Sequence, residues 1–169
     1  RIYSPDDGRA LGLQGMINDL VEKSDFPVGE TGVVDPAELA ADNTLAIARM
    51  ISAAENFHDK YKNVFEQVRA IAEASETPVL GITGTGGSGK SSMVDEIVRR
   101  FLVDFKDKKI GIVSVDPSKR KTGGALLGDR IRMSQHFNDP GVFIRTMANR
   151  GALGGLSPKI IEVSLIMGA

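Results

Sequence analysis

The stretch Val79-Leu80-Gly81-Ile82-Thr83-Gly84-Thr85-Gly86-Gly87-Ser88-Gly89-Lys90-Ser91-Ser92 decides how the rest of the chain is read. Its first five residues are short, apolar and β-rich, with Thr77-Pro78 before them and glycine after, which predicts a buried central strand. The next eight match G-x-x-x-x-G-K-[ST]. After them Met93, Val94, Ile97, Val98, Phe101 and Leu102 fall on one face of a helix over residues 92–105. Each residue type in the loop has a physical task. Glycines let the backbone adopt φ > 0 and turn its N–H groups inward. Those amides, with the positive end of the following helix, make a concave anion site. Lys90 reaches phosphate oxygens as a point charge, and the Ser91 hydroxyl is a ligand for a Mg²⁺ ion bridging them. The competing reading, a glycine loop with only a structural role, does not explain the lysine and serine at these offsets.

Working toward the C-terminus, Ile110 to Val115 reads as a second buried strand ending at Asp116-Pro117, and Val142-Phe143-Ile144 as a third. Ser157-Pro158 opens a last helix, with Ser157 as its cap and Pro158 at the first position. Strands alternating with helices of this length predict an α/β fold, a P-loop NTPase-type parallel sheet flanked by helices. Asp116 then lies at the carboxyl end of a strand, the edge where such sheets hold ligands. A carboxylate there suits Mg²⁺, which takes hard oxygen ligands; the bland alternative is that Asp116-Pro117-Ser118 is only a turn. In the glycine-containing segment 123–133, Asp129 and Arg132 are spaced to share one face of a helical turn. That spacing fits a carboxylate near a metal with a guanidinium near phosphate, but by itself it fits an ordinary surface ion pair slightly better. Lys119-Arg120-Lys121 reads as a solvated basic loop. His58 and His136 have no spaced partner and read as structural or exposed.

Toward the N-terminus, Ser4-Pro5-Asp6-Asp7-Gly8 forms a turn. Leu11, Leu13, Met16, Ile17, Leu20 and Val21 then predict a short helix ending near Ser24. Residues 25–36 carry Pro27, Gly29, Gly32 and Pro36 and read as a linker. A long helical stretch follows, capped by Asp35 with Pro36 in its first turn. In it Tyr61, Val64, Phe65, Val68, Ile71 and Ala72 line one face for packing against a neighbouring element.

Bulk properties narrow the function. The 169 residues carry 21 Lys plus Arg against 22 Asp plus Glu, a formal charge of −1, so there is no electrostatic footprint for nucleic acid or an acidic membrane. Cysteine is absent, which excludes disulfides and thiolate metal sites. No apolar run approaches the roughly 20 residues of a membrane helix, and no secretory signal is visible, so a cytoplasmic location is expected. The first residue is Arg1 and the last residues stand in an apolar run, so both ends read as cut.

The combination of Thr83 through Ser92, Val115-Asp116-Pro117-Ser118, Thr122-Gly123-Gly124-Ala125-Leu126-Leu127-Gly128-Asp129-Arg130-Ile131-Arg132-Met133 and Arg150-Gly151-Ala152-Leu153-Gly154-Gly155-Leu156 resembles the metallochaperone GTPases that serve cobalamin-dependent acyl-CoA mutases. Ile2-Tyr3-Ser4-Pro5-Asp6-Asp7-Gly8-Arg9 and Gly12-Leu13-Gln14-Gly15-Met16-Ile17 look like the tail of a cobalamin-binding domain, the arrangement of the fused isobutyryl-CoA mutase family. The resemblance implies three regions: residues 1–24, the end of a cobalamin domain; 25–76, a linker and long helical segment; and 77–169, the first half of a P-loop GTPase domain. It implies a GTPase that gates adenosylcobalamin loading within an enzyme interconverting isobutyryl-CoA and butyryl-CoA. The implied partners are GTP and GDP, Mg²⁺, acyl-CoA and cobalamin through the whole enzyme, and a second copy in a homodimer. By position, Gly86, Gly87, Ser88, Gly89, Lys90 and Ser91 bind GTP, with Arg132 added; Ser91, Val115, Asp116 and Asp129 lie around magnesium; and Lys90, Asp116 and Asp129 serve the chemistry. The lower-ligand Asp-x-His-x-x-Gly motif of cobalamin domains and the Asn-Lys-x-Asp segment that selects guanine have no counterpart in these residues. A P-loop ATPase or kinase of another family, and an interaction module with a relic nucleotide site, therefore stay open at this point.

Overall fold

The structure is a computed structural model that describes residues 2–116, 133, 136, 138–152 and 155–169. Helix α1 spans Pro5–Ser24 and opens with a reciprocal capping box. The Ser4 hydroxyl accepts from the Asp7 amide (3.2 Å), the Asp7 carboxylate accepts from the Ser4 amide (2.9 Å), and Pro5 sits in the first turn. The helix therefore begins earlier than its apolar spacing predicted. Gly12, at φ +64°, breaks the helical path inside it. None of its residues is buried, and Leu13 is 72% exposed.

The linker is fastened rather than loose. A Cβ on Gly29 would stand 2.5 Å from the Ser52 carbonyl carbon, so only glycine lets the chain press onto the next helix. Asn56 donates to the Val28 carbonyl at 3.3 Å, and Lys60 and the Tyr61 hydroxyl donate to the Glu30 carbonyl.

The predicted long helix is interrupted. Asp35 caps and Pro36 opens a single 3-10 turn, Pro36–Glu38, which ends there. Helix α2, Thr44–Asn56, restarts because the Asn43 side chain accepts from the Ala46 amide at 3.1 Å. It stops at Phe57, where φ reaches −136°, and after the short turn Asp59–Tyr61 the chain resumes as α3, Lys62–Ala74. The stripe read from the sequence does face inward on α3, where Phe65 and Val68 are buried.

Helix α4 spans Lys90–Asp104, strand β1 Ile110–Asp116, strand β2 Val142–Ala148 and helix α5 Ile160–Gly168. The strands pair in parallel, in register from Ile110 opposite Val142 to Asp116 opposite Ala148. Helices flank this pair, as an α/β protein requires. Strand β2 runs past the predicted 142–144 to Ala148. Ser157 is buried but caps a turn rather than the helix: its carbonyl accepts from Ile160 (3.1 Å) and its hydroxyl from Lys159 (3.4 Å), so α5 begins after Pro158. The core joins Met50, Ile51, Ala53 and Ala54 of α2, Phe65 and Val68 of α3, Met147 of β2, and Val163 and Ile166 of α5.

One expectation fails. Residues 79–83 form no strand, and Val79 and Leu80 are 76% and 73% exposed. A strand needs a neighbour to take up its N–H and C=O groups. The sheet of described residues pairs β1 with β2 alone, and the 79–83 backbone finds no ladder there. No described helix is long and apolar enough to cross a membrane.

Candidate functional site

The loop predicted to cradle phosphate is turned, not extended, over residues 86–89. Gly87 and Gly89 stand at φ +77° and +85°, the left-handed region a side chain resists. A Cβ added to Gly86, Gly87 or Gly89 would meet no atom beyond its chain neighbours within 4 Å, so these glycines border open space. Among the described residues, the amides from Gly84 to Gly89 make one backbone bond, Ser88 N–H to the Thr85 carbonyl at 3.3 Å. The others are not consumed by the protein's own carbonyls.

Helix α4 takes Gly89 as its N-cap, and no side chain caps it. Its first backbone bond runs from the Met93 amide to the Gly89 carbonyl at 2.9 Å. Amides ahead of Met93 have no partner within the helix, and the helix dipole favours negative charge at that end. Lys90 lies across the loop and donates to the carbonyls of Gly84 (2.7 Å) and Thr85 (2.8 Å). Its ammonium is thus held by weak acceptors at the place where a phosphate oxygen would be a stronger one. The uncapped helix end, the open glycines and the parked lysine fit a polyphosphate.

Asp116 closes β1 and is 5% exposed. Its carbonyl accepts from the Asn149 amide at 3.0 Å, which binds the carboxyl ends of the two strands together. Val115 precedes it, opposite Met147. Ser91 and Asp116 are the hard oxygen donors a magnesium ion prefers. Among the described residues, no three His, Asp or Glu side chains gather as a metal cluster. Asp129 and Arg132 lie outside the described residues.

Two groups gained meaning only in three dimensions. His136 is 6% exposed, and its Nε2 lies 3.0 Å from Asp95 Oδ1 on α4, within ion-pair reach and without a hydrogen bond between the two atoms. The second is Glu55 of α2, whose carboxylate takes a 2.7 Å bond from Arg145 of β2 and has Arg150 at 3.9 Å, beyond the strand's end. Arg150 also donates to Asn56 and holds φ +48°. Helical spacing of Asp95 with Val98 was the only sequence signal for the first, and nothing local signalled the second. His58 stacks on Phe65 (centroids 5.2 Å apart) and lies 3.6 Å from Glu162, a packing role that shares no residue with the loop. On the outer face of α4, Arg99 first and then Arg100 hold the Glu96 carboxyl down at about 2.

The family model described as Methylmalonyl Co-A mutase-associated GTPase MeaB matches residues 47–169. A fused isobutyryl-CoA mutase of Geobacillus kaustophilus is 50% identical over 179 aligned positions, covering 100% of this chain and 16% of that protein. A fused isobutyryl-CoA mutase of Cupriavidus metallidurans is 44% identical over 164, covering 96% of this chain and 15% of that protein. The GTPase ArgK of Escherichia coli is 31% identical over 122, covering 71% of this chain and 36% of that protein. The chain thus spans about 16% of the length of the first of these relatives. Since the match takes in α3, the phosphate loop, both strands and α5, the chain belongs to the family of GTPases associated with methylmalonyl-CoA mutase.

Proposed function

We propose that this chain binds and hydrolyses GTP with Mg²⁺, as the switch portion of an adenosylcobalamin-dependent acyl-CoA mutase that interconverts isobutyryl-CoA and butyryl-CoA. The observation that carries the reading is the loop at residues 84–89, which turns open, largely unspent amides toward solvent at the uncapped end of α4. Gly86, Gly87, Ser88 and Gly89 surround the β-phosphate with backbone N–H groups. Lys90 leaves the Gly84 and Thr85 carbonyls for phosphate oxygens, and Arg132 adds a guanidinium to the nucleotide. Ser91, Asp116, Asp129 and the Val115 carbonyl would hold the metal, which when bound would neutralise charge growing on the phosphates. Lys90, Asp116 and Asp129 serve the transfer step by holding donors where that charge develops.

Residues 1–24 end a cobalamin domain, residues 25–76 form the linker and its helices, and residues 77–169 begin the GTPase domain. Nucleotide state, read as order in the loops around the γ-phosphate, gates cofactor loading in the neighbouring domains. The parent enzyme works in the cytoplasm as a homodimer. Support comes from the names and identities of the fused relatives and from the fastened linker, whose Asn56 bonds Val28 on one side and Arg150 on the other.

The test is a competition. The full-length protein, titrated with a fluorescent GTP analogue and Mg²⁺ and then challenged with unlabelled GTP or ATP, should release the probe to GTP at least about tenfold more readily, a difference of roughly 1.4 kcal/mol. Equal displacement by ATP would overturn the guanine preference. No probe binding at all would sink the nucleotide reading.

A further inference from the structure

We propose that His136 and Asp95 form a positioning pair that holds the Ser91 turn of α4 in place for magnesium. The inference rests on the nucleotide reading above. Ser91, Asp95, Val98 and Leu102 are spaced four, three and four residues apart, so they form one stripe along α4. The structure shows what the lower part of that stripe faces. Val98 is 1% exposed, and Leu102 Cδ2 comes within 3.1 Å of where a Cβ on Gly141 would stand. Met133 and His136, on the approach to β2, are 3% and 6% exposed. One helical turn below Ser91, the stripe turns polar: Asp95 Oδ1 meets His136 Nε2 at 3.0 Å.

A carboxylate and an imidazole facing each other in this half-dry seam are a costly choice for mere adhesion, which an apolar pair would supply at least as well. A close contact between one atom on each side singles out one rotation of the helix, which a broad apolar contact does not. It fixes the rotation of α4 about its axis, and that rotation sets where the Ser91 hydroxyl points. It also ties α4 to the chain just after Arg132, the residue expected at the nucleotide. Neither side chain needs to touch GTP or the metal, so both are positioning residues.

The test uses the full-length protein with the fluorescent GTP analogue, titrated once with Mg²⁺ and once in EDTA. Variants are Asp95→Asn, which keeps the side chain's shape, His136→Gln, and the double variant, each checked by thermal melting. The expected result is a roughly 3- to 30-fold loss of affinity with Mg²⁺ and no more than about a twofold change in EDTA. The double variant should lose no more than the worse single one, because residues in contact do not act additively. If His136→Gln does not fold, Asp95→Asn carries the test, since that side chain is 35% exposed at the seam's edge. Equal losses with and without Mg²⁺ would reduce the pair to general packing and overturn the proposal, and so would unchanged affinities or additive losses. Failure of the unsubstituted protein to bind the analogue would instead overturn the nucleotide reading and this role with it.

Discussion

Replacing Lys90 with alanine separates the chemistry of the loop from its folding. In the structure the ammonium makes two exposed bonds, 2.7 Å and 2.8 Å, to the carbonyls of Gly84 and Thr85. Bonds of this kind between solvated groups contribute little, so Lys90→Ala should lower stability by no more than about 1 kcal/mol. For a chain of this size that is a melting shift of roughly 2–4 °C. The nucleotide complex loses more. A unit charge about 4 Å from a phosphate charge, at an effective dielectric near 20, gains about 4 kcal/mol. Giving up the two exposed loop carbonyls returns no more than about 1 kcal/mol of that. The net loss is about 3 kcal/mol, or roughly 150-fold in affinity. Lys90→Arg should recover only part of it, since a planar fork does not reproduce a compact ammonium threaded through a tight loop. Titration with a fluorescent GTP analogue and a thermal melt, run on the same preparation, check both halves. An affinity within threefold of the unsubstituted protein would refute the reasoning, and so would a melting drop beyond about 8 °C, which would make Lys90 a structural strut.

Gly29→Ala should be among the most damaging single-methyl additions. Its Cβ would stand 2.5 Å, 2.6 Å and 2.7 Å from backbone atoms of Ser52 and Ala53, at φ +91°, and a helix backbone does not yield as a side-chain tip does. Left-handed strain and overpacking together predict a loss of about 2–5 kcal/mol by denaturant titration, and a loss under about 1 kcal/mol would show that the linker is not pressed onto α2. Glu96 gives a pH signature: its pKa is lowered from 4.5 to about 2, chiefly by Arg99, so its contribution is fully present above about 4.5 and fades as pH falls toward 2. Melting curves of the unsubstituted protein and Glu96→Gln should therefore converge between pH 6 and 2.5, and sooner in 1 M salt; a gap that widens on acidification contradicts the assignment.

What could be read from the sequence was whatever residues decide locally. The phosphate loop is such a case, because glycine's backbone freedom and the offsets of Lys90 and Ser91 need no distant partner to be recognised. The capping chemistry of Asp35 was equally local and held, yet Asn43 restarts the helix by the same chemistry and was passed over, so one long helix was expected where a turn and two helices stand. Apolar character at 79–83 was legible, but pairing is not a property of a strand alone, and these residues find no ladder in the two-stranded sheet. Gly12 broke α1 at a point where the apolar spacing ran on without pause. His136 shows the limit most clearly. Its partner Asp95 lies on a helix far earlier in the chain, and no spacing rule joins residues that meet only through a crossover between parallel strands.

The distribution of burial explains why such a loop can exist at the rim of a stable fold. Fully buried side chains concentrate where α2, α3, α5 and β2 meet: Met50, Ile51, Ala53, Ala54 and Val163 are 0% exposed, and Val68 and Met147 are 1%. The glycine loop contributes nothing to that centre, and neither does α4, whose one buried residue, Val98, lies outside it. Stability is therefore held by elements that do not touch phosphate, which leaves the loop free to keep amides unspent and glycines at positive φ without endangering the whole. The same arrangement limits how news of a bound nucleotide travels. Among the described residues, α4 is tied to the approach to β2 through Asp95 with His136 and Leu102 with Gly141, and the strand ends are joined at Asp116 and Asn149. Beyond the second of these, Arg150 reaches Asn56 and, through it, the linker at Val28. A core that does not include the loop, with a polar route among the described residues from the carboxyl edge of the sheet to the linker, is what the proposed switch requires.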